Sequence, residues 1–310
     1  MSKEKIIFWM NVSDQIEDYQ NFDQIVTNFE NMGVRAVILH TTFANLVTKL
    51  KSNGFMVYSE FSCFEGEEVW KEYSDCIPVD FGGERFNEEN GYYGVNPANP
   101  KFRKDLFAKF KKLIQHMNID GVWFNRIHWP CYWQAFEPVL IDSSFDENTL
   151  NLFLQDNQLA FSVNEVKQFI IGEGSKLWAQ WKCSVITSWV KLAWEIRNQF
   201  APDVKLGIFT VPWVNGEYNN ALFRIIGQDY RMLTQYVDYF TPMLYYQSCK
   251  QPVTWINDVI SKTKTLTDRN IVPIVHVEKN TNISDGEEPQ QNVLELVLSH
   301  PDSAGCIIAY

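Results

Sequence analysis

No apolar run in the chain reaches the ~18 residues that a membrane-spanning helix requires, which sets membrane insertion aside. Positive charge is in deficit. Lysine and arginine number 27 against 38 acidic residues, for a net charge of −11 and a pI near 5.0. Nucleic acid and anionic membrane surfaces are therefore poor partners. The one basic cluster, Lys101, Arg103, Lys104, Lys109, Lys111 and Lys112, falls at helical spacing. It reads as the solvated face of a helix rather than a phosphate site. Six cysteines, Cys63, Cys76, Cys131, Cys183, Cys249 and Cys306, make no Cys-x-x-Cys pair, which argues against a zinc site or redox motif. Cys183 and Cys306 lie in apolar patterns and read as buried thiols. No His-x-His or His-Glu-x-x-His occurs among the five histidines, so no metal is expected. A Gly-x-Ser-x-Gly elbow, a Walker-type Gly-Lys-Ser/Thr and a Gly-x-Gly-x-x-Gly turn are all missing. Esterase, nucleotide and dinucleotide chemistry lose their usual supports, and no cofactor is expected. A short polar lead, residues 1–5, runs straight into an apolar strand with no secretory leader. That fits a cytoplasmic protein, or a secreted or periplasmic one whose leader has been removed.

What is present is a long alternation. The 310 residues are 45% hydrophobic and 21% charged, a globular composition. Strand patterns at 6–12, 35–41, 55–64, 121–127, 204–211, 239–246, 271–278 and 304–310 alternate with helical ones at 22–32, 45–52, 101–117, 177–200, 220–236, 253–266 and 291–299. Phe102, Leu106, Phe110 and Leu113 recur at spacings of three and four, the signature of an amphipathic helix. Eight strands separated by helices predict an α/β fold, a closed (β/α)8 TIM barrel, with an open doubly wound sheet as the runner-up. The last strand should pair with the first. With no internal repeat or linker, residues 1–310 read as one domain. The excursion 129–174, with one helix at 147–155, reads as an inserted lid after strand four.

Barrel enzymes carry their chemistry at the carboxyl ends of strands. That rule selects Trp9 and Asn11, His40, Glu60, Asn125 and Arg126, then His128, Trp129 and Trp133, Thr210 and Trp213, Tyr245 and Tyr246, and His276 and Glu278. Period-two alternation puts Trp123 with Asn125, Met243 with Tyr245, and His276 with Glu278 on shared faces, taken as inward. Glu60 is the general-acid candidate, because it ends an apolar strand where loss of water favours the proton-carrying form of a carboxyl. An ion pair with Arg126 is the plainer reading of the same residue. Glu278 is the second carboxylate, or else an exposed strand end beside Lys279.

The chain holds 11 tryptophans. Indole faces stack on the C–H faces of sugar rings, so a cleft lined by them can hold carbohydrate without charge. Trp9, Trp129, Trp133 and Trp213 stand at strand ends and read as ligand contacts. Trp178, Trp181, Trp189 and Trp194 follow helical spacing and read as core.

Residues 120–130, Asp-Gly-Val-Trp-Phe-Asn-Arg-Ile-His-Trp-Pro, resemble the fourth-strand motif of glycoside-hydrolase-like (β/α)8 barrels, a largely uncharacterised bacterial group distantly similar to family 18 chitinases. Residues 94–103, 144–150, 204–213 and 236–245 resemble other segments of that group, so the likeness spans roughly 55–280. It implies a glycoside hydrolase acting on a poly- or oligosaccharide, N-acetylated sugars included. Glu60 would protonate the leaving oxygen. Trp9, His40, Arg126, His128, Trp129, Trp133, Trp213, Tyr245, His276 and Glu278 would line the cleft. One departure stands out: the group's strand-four motif carries Asp where this chain has Asn125. An amide has no usable proton affinity near neutral pH. Three explanations compete: a catalytically inactive carbohydrate-binding barrel, a deliberate inactivating substitution, or an Asn125 that orients an N-acetyl group whose own oxygen attacks.

Overall fold

The computed structural model describes residues 6–10, 22–134, 137–214, 216–276 and 290–309. The chain starts with β1 (Ile6–Met10), α1 (Phe22–Met32), β2 (Val34–Leu39), α2 (Ala44–Ser52) and β3 (Met56–Ser62). A long connection carrying α3 (Glu67–Glu72) leads to α4 (Pro100–His116) and β4 (Gly121–Asn125). An excursion with α5 (Glu147–Asp156) and α6 (Val163–Ile171) precedes α7 (Ser175–Phe200). Then follow β5 (Lys205–Thr210), α8 (Tyr230–Leu233), β6 (Tyr239–Pro242), α9 (Trp255–Lys264), β7 (Asn270–Ile271), β8 (Ile274–His276), α10 (Gln290–Ser299) and β9 (Cys306–Ala309).

Nine strand segments make one parallel sheet in the order β7-β6-β5-β4-β3-β2-β1-β9-β8. The segments β7 and β8 are two pieces of the seventh barrel strand, parted where Pro273 has no N–H to give. One piece pairs with β6 and the other with β9. Across the join, the Leu244 N–H donates to Ile274 O at 2.8 Å and the Ala304 N–H to Ile271 O at 2.8 Å. These bonds close the sheet into the expected TIM barrel. The last strand pairs with the first, Ile6 opposite Cys306 and Phe8 opposite Ile308.

Register separates the two faces. Partners in a parallel pair point the same way, and Glu60 pairs with Trp123 while Ser62 pairs with Asn125. The intervening Phe61 and Phe124 face outward, where Phe61 meets Phe110 at 5.4 Å and Phe124 meets Trp189 at 5.0 Å. Inside, Trp123 stacks on Tyr239 at 5.3 Å and its indole N–H donates to Thr241 Oγ1 at 3.0 Å. The neighbouring strand leaves room only because residue 207, paired with Trp123, is glycine: a Cβ there would lie 2.3 Å from the Trp123 ring. The inward assignment of Trp123 and Asn125 therefore holds.

Sequence pattern and structure part in several places. The expected helix 220–236 is broken into a π-helical turn, Leu222–Ile226, and the short α8. Between them Gly227 takes a left-handed φ of +72°, and the Trp129 ring fills the space a Cβ would need. Helix α6 was not expected, although Ser162 and Glu165 form a capping box at its start. The expected seventh strand at 271–278 is interrupted at Pro273, and its last two residues, with Glu278, lie outside the described residues.

The excursion is fastened to α7. Lys182, fully buried, pairs with Asp142, and its ammonium sits 5.0 Å from the centre of the Trp129 ring. The Trp178 indole donates to Asp142 and the Trp181 indole to Asp156, at 3.0 and 2.8 Å. Trp178, Trp181 and Trp189 are buried as helical spacing implied, and Trp194 is partly buried against Tyr236. Cys183 and Cys306 are buried free thiols. No helix among the described residues is long and apolar enough to cross a membrane.

Candidate active site

Glu60 lies on the inner face of β3, two residues before its end, and three elements deliver partners to it. From β1, the Trp9 indole N–H donates to Oε2. From β4, Asn125 Nδ2 donates to Oε1 at 2.7 Å. From the end of β2, His40 Nδ1 stands 3.2 Å from Oε2. The Glu60 side chain is 1% exposed, whereas that of His40 is 44% exposed. The His40 ring meets Trp9 edge-on at 5.9 Å. Its pKa lies above the ordinary histidine value, chiefly through the hydrogen bond to Glu60, with burial opposing and the charges of Glu60 and Glu65 adding.

Asn125 is held at both ends of its amide, because Oδ1 also accepts the Arg126 N–H at 2.8 Å. Arg126 has a φ of +52°, an uncommon conformation for a residue with a Cβ. Its guanidinium pairs with Glu65 at 3.0 Å and lies 4.8 Å from the Tyr92 ring. The ion pair considered between Arg126 and Glu60 is thus replaced by one with Glu65, a residue that strand-end reasoning missed. Glu65 stands beyond β3 in the long connection, and no periodic signal reaches it.

A second aromatic group gathers beyond β6. Trp133 stacks on Tyr245 with centroids 6.1 Å apart, and Tyr245 meets His276 edge-on at 4.2 Å. Burial, and then the charge of Glu60, push the Tyr245 hydroxyl above its usual pKa. The Trp133 indole N–H is buried and has no hydrogen-bond partner among the described residues.

Two expected cleft residues, Trp129 and His128, sit elsewhere. Trp129 has no exposed surface. It is enclosed by Trp178 and Trp181, at 6.3 and 5.8 Å, and donates to Lys182 O. It belongs to the packing beneath the excursion, because the chain turns down into the helix layer directly after β4. His128 is buried, with Nδ1 2.7 Å from Trp129 O. Burial pushes its pKa down to about 4, so the ring is neutral at physiological pH. Trp213 is 5% exposed and packs on Tyr218 at 4.8 Å. Asn11 and Glu278 lie outside the described residues.

No family model matches the chain, and no curated protein sequence matches it. Solved structures do. The chain is similar to the glycoside hydrolase domain of PgaB (BpsB) from Bordetella bronchiseptica, with a TM-score of 0.70 and 12% identity over 99% of this chain and 94% of that one. It is similar to the catalytic domain of a β-amylase from Paenibacillus polymyxa, with a TM-score of 0.64 and 12% identity over 99% and 92%. A β-galactosidase from Bacillus circulans sp. alkalophilus gives a TM-score of 0.70 and 12% identity over 99% of this chain and 50% of that one. At such identities the likeness establishes a shared fold: this is a barrel of the architecture that these glycoside hydrolases use.

Proposed function

We propose that this protein is a glycoside hydrolase that binds a poly- or oligosaccharide at the carboxyl ends of the barrel strands and cleaves it, with Glu60 at the centre of the acid–base chemistry. The whole chain would act as one domain, with residues 129–174 lidding one side of the cleft. The link to family 18 chitinases belongs to the same proposal. One observation carries it: the buried Glu60 carboxylate is gathered by Trp9, His40 and Asn125 from three separate strands, at the face where barrels place catalysis. Tyr245 and His276, backed by the buried Trp133, would supply the wall against which sugar rings stack. Six free thiols suit a reducing compartment.

The spacing bears on Asn125. Paired carboxyls that flank a glycosidic bond stand ~5–5.5 Å apart for retention or ~6.5–9.5 Å for inversion. Asn125 touches Glu60 at 2.7 Å. Position 125 therefore acts as a positioning amide, and an N-acetylated substrate would bring its own carbonyl oxygen as the second group. A second reading, a carbohydrate-binding barrel without turnover, draws on the missing carboxylate at 125.

Screening the native protein on a glycan array, then assaying each hit for cleavage by native protein and Asn125→Asp, tests this. Cleavage by the native protein, unimproved by Asn125→Asp, is the expected result. A rise of about 10²–10⁴-fold in the variant would make Asn125 the remnant of a lost acid or base. Binding without cleavage by either protein would leave the binding module.

A further inference from the structure

Resting on the hydrolase reading, we propose that the proton exchanged with the substrate is carried by His40, and that Glu60 is the positioning residue behind it. A proton donor must come within ~2.6–3.2 Å of the leaving oxygen. Glu60 presents almost no surface, and its carboxylate is already engaged by an indole, an amide and an imidazole. His40 meets the opposite condition. It is nearly half exposed at the end of β2, where its backbone N–H donates to Met10 O at 3.0 Å. With Nδ1 turned to Glu60, Nε2 is the ring nitrogen left for a ligand.

The groups that face the ring agree with this role. Glu60 approaches from β3 and Glu65 acts from the connection beyond it, while Trp9 from β1 contributes an uncharged edge. The nearby cation, Arg126, is tied to Glu65. Two carboxylates thus favour the imidazolium, the form that can give a proton away. Hydrolysis then balances simply. The imidazolium Nε2–H passes its proton to the glycosidic oxygen as the C–O bond breaks, and the bonding pair leaves with that oxygen. The substrate's acetamide oxygen forms the new bond to the anomeric carbon, and a water molecule then displaces that oxygen and gives a proton back to Nε2. Glu60 stays a carboxylate throughout, fixing the ring and stabilising its charge.

The test uses the full chain with two leaving groups, the natural glycan identified on the array and the nitrophenyl glycoside of the same sugar. A nitrophenolate needs no proton to depart. His40→Gln, a change at a half-exposed position, is expected to lower kcat/KM on the glycan about 10²–10⁴-fold and to affect the nitrophenyl substrate far less. Native kcat/KM on the glycan should fall as pH rises through the His40 pKa, above 6.5, and Glu60→Gln should move that fall to lower pH. NMR titration of the His40 ring in native protein and Glu60→Gln reads the same shift without substrate. Equal losses on both substrates, or a descending limb that Glu60→Gln does not move, would overturn the role of His40 and leave the hydrolase reading standing. A native protein that cleaves no glycan would overturn both.

Discussion

Two buried charges in this barrel have nearly the same surroundings and opposite meaning. Glu60 inside the barrel and Lys182 beneath the excursion each have a counter-group, and in each pair a carboxylate accepts an indole N–H, from Trp9 or Trp178. Each region also seats an indole on a glycine, Trp123 on Gly207 and Trp129 on Gly227. They differ in what faces outward. The exposed partner of Glu60 is His40, whose pKa lies above the ordinary histidine value. The partner of Lys182 is Asp142, and the lysine itself is sealed. Burial and pairing alone do not separate a site from a staple. Position at the strands' carboxyl ends and an outward-facing titratable partner do.

The largest expected effect falls on the staple. Lys182→Met keeps an unbranched apolar stem one atom shorter and removes the ammonium, leaving Asp142 without its counter-charge. Breaking a buried pair from one side costs about 3–5 kcal/mol. Chemical denaturation should show a loss of that order, with glycan binding retained by the folded fraction. A loss below about 1 kcal/mol would mean that the excursion is held by packing alone.

The two glycines come next. Gly227→Ala meets the Trp129 ring at 2.5 Å and starts from a positive φ, so overpacking and strain together should cost about 2–4 kcal/mol. Gly207→Ala meets Trp123 at 2.3 Å with no such backbone strain, and about 1–3 kcal/mol is expected. Their functional effects should diverge. Gly207→Ala displaces the ring that precedes Asn125 by two residues on the inner face of β4 and should weaken glycan binding, whereas Gly227→Ala should leave the affinity of the folded protein alone. Equal effects on binding would remove the distinction between the regions.

The alternation of strands and helices was legible because each element keeps its own period, and the strand-end rule brought Trp9, His40, Glu60 and Asn125 to one place. Tertiary packing defeated the rest. Trp129 follows a strand end much as Trp9 stands near one, but the chain after β4 folds under the excursion, and no local pattern announces that turn. Lys182 looked like any lysine on a long helix until the excursion covered it. Glu65 lies in irregular chain, where neither period applies, and was found only through its ion pair with Arg126. The break at Gly227 was partly readable, since glycine inside a helical pattern weakens it. The indole that makes glycine necessary there comes from a residue about a hundred positions away.

The most direct measurement compares glycan cleavage and glycan binding in native protein and Glu60→Gln. The substitution keeps size and hydrogen-bonding capacity and removes the carboxylate. If Glu60 anchors the acid–base chemistry, cleavage falls by about 10²–10⁴-fold while the Kd for the same glycan stays within a few-fold of the native value. Native-like cleavage by Glu60→Gln, or a native protein that binds glycans and never cleaves them, would contradict the account.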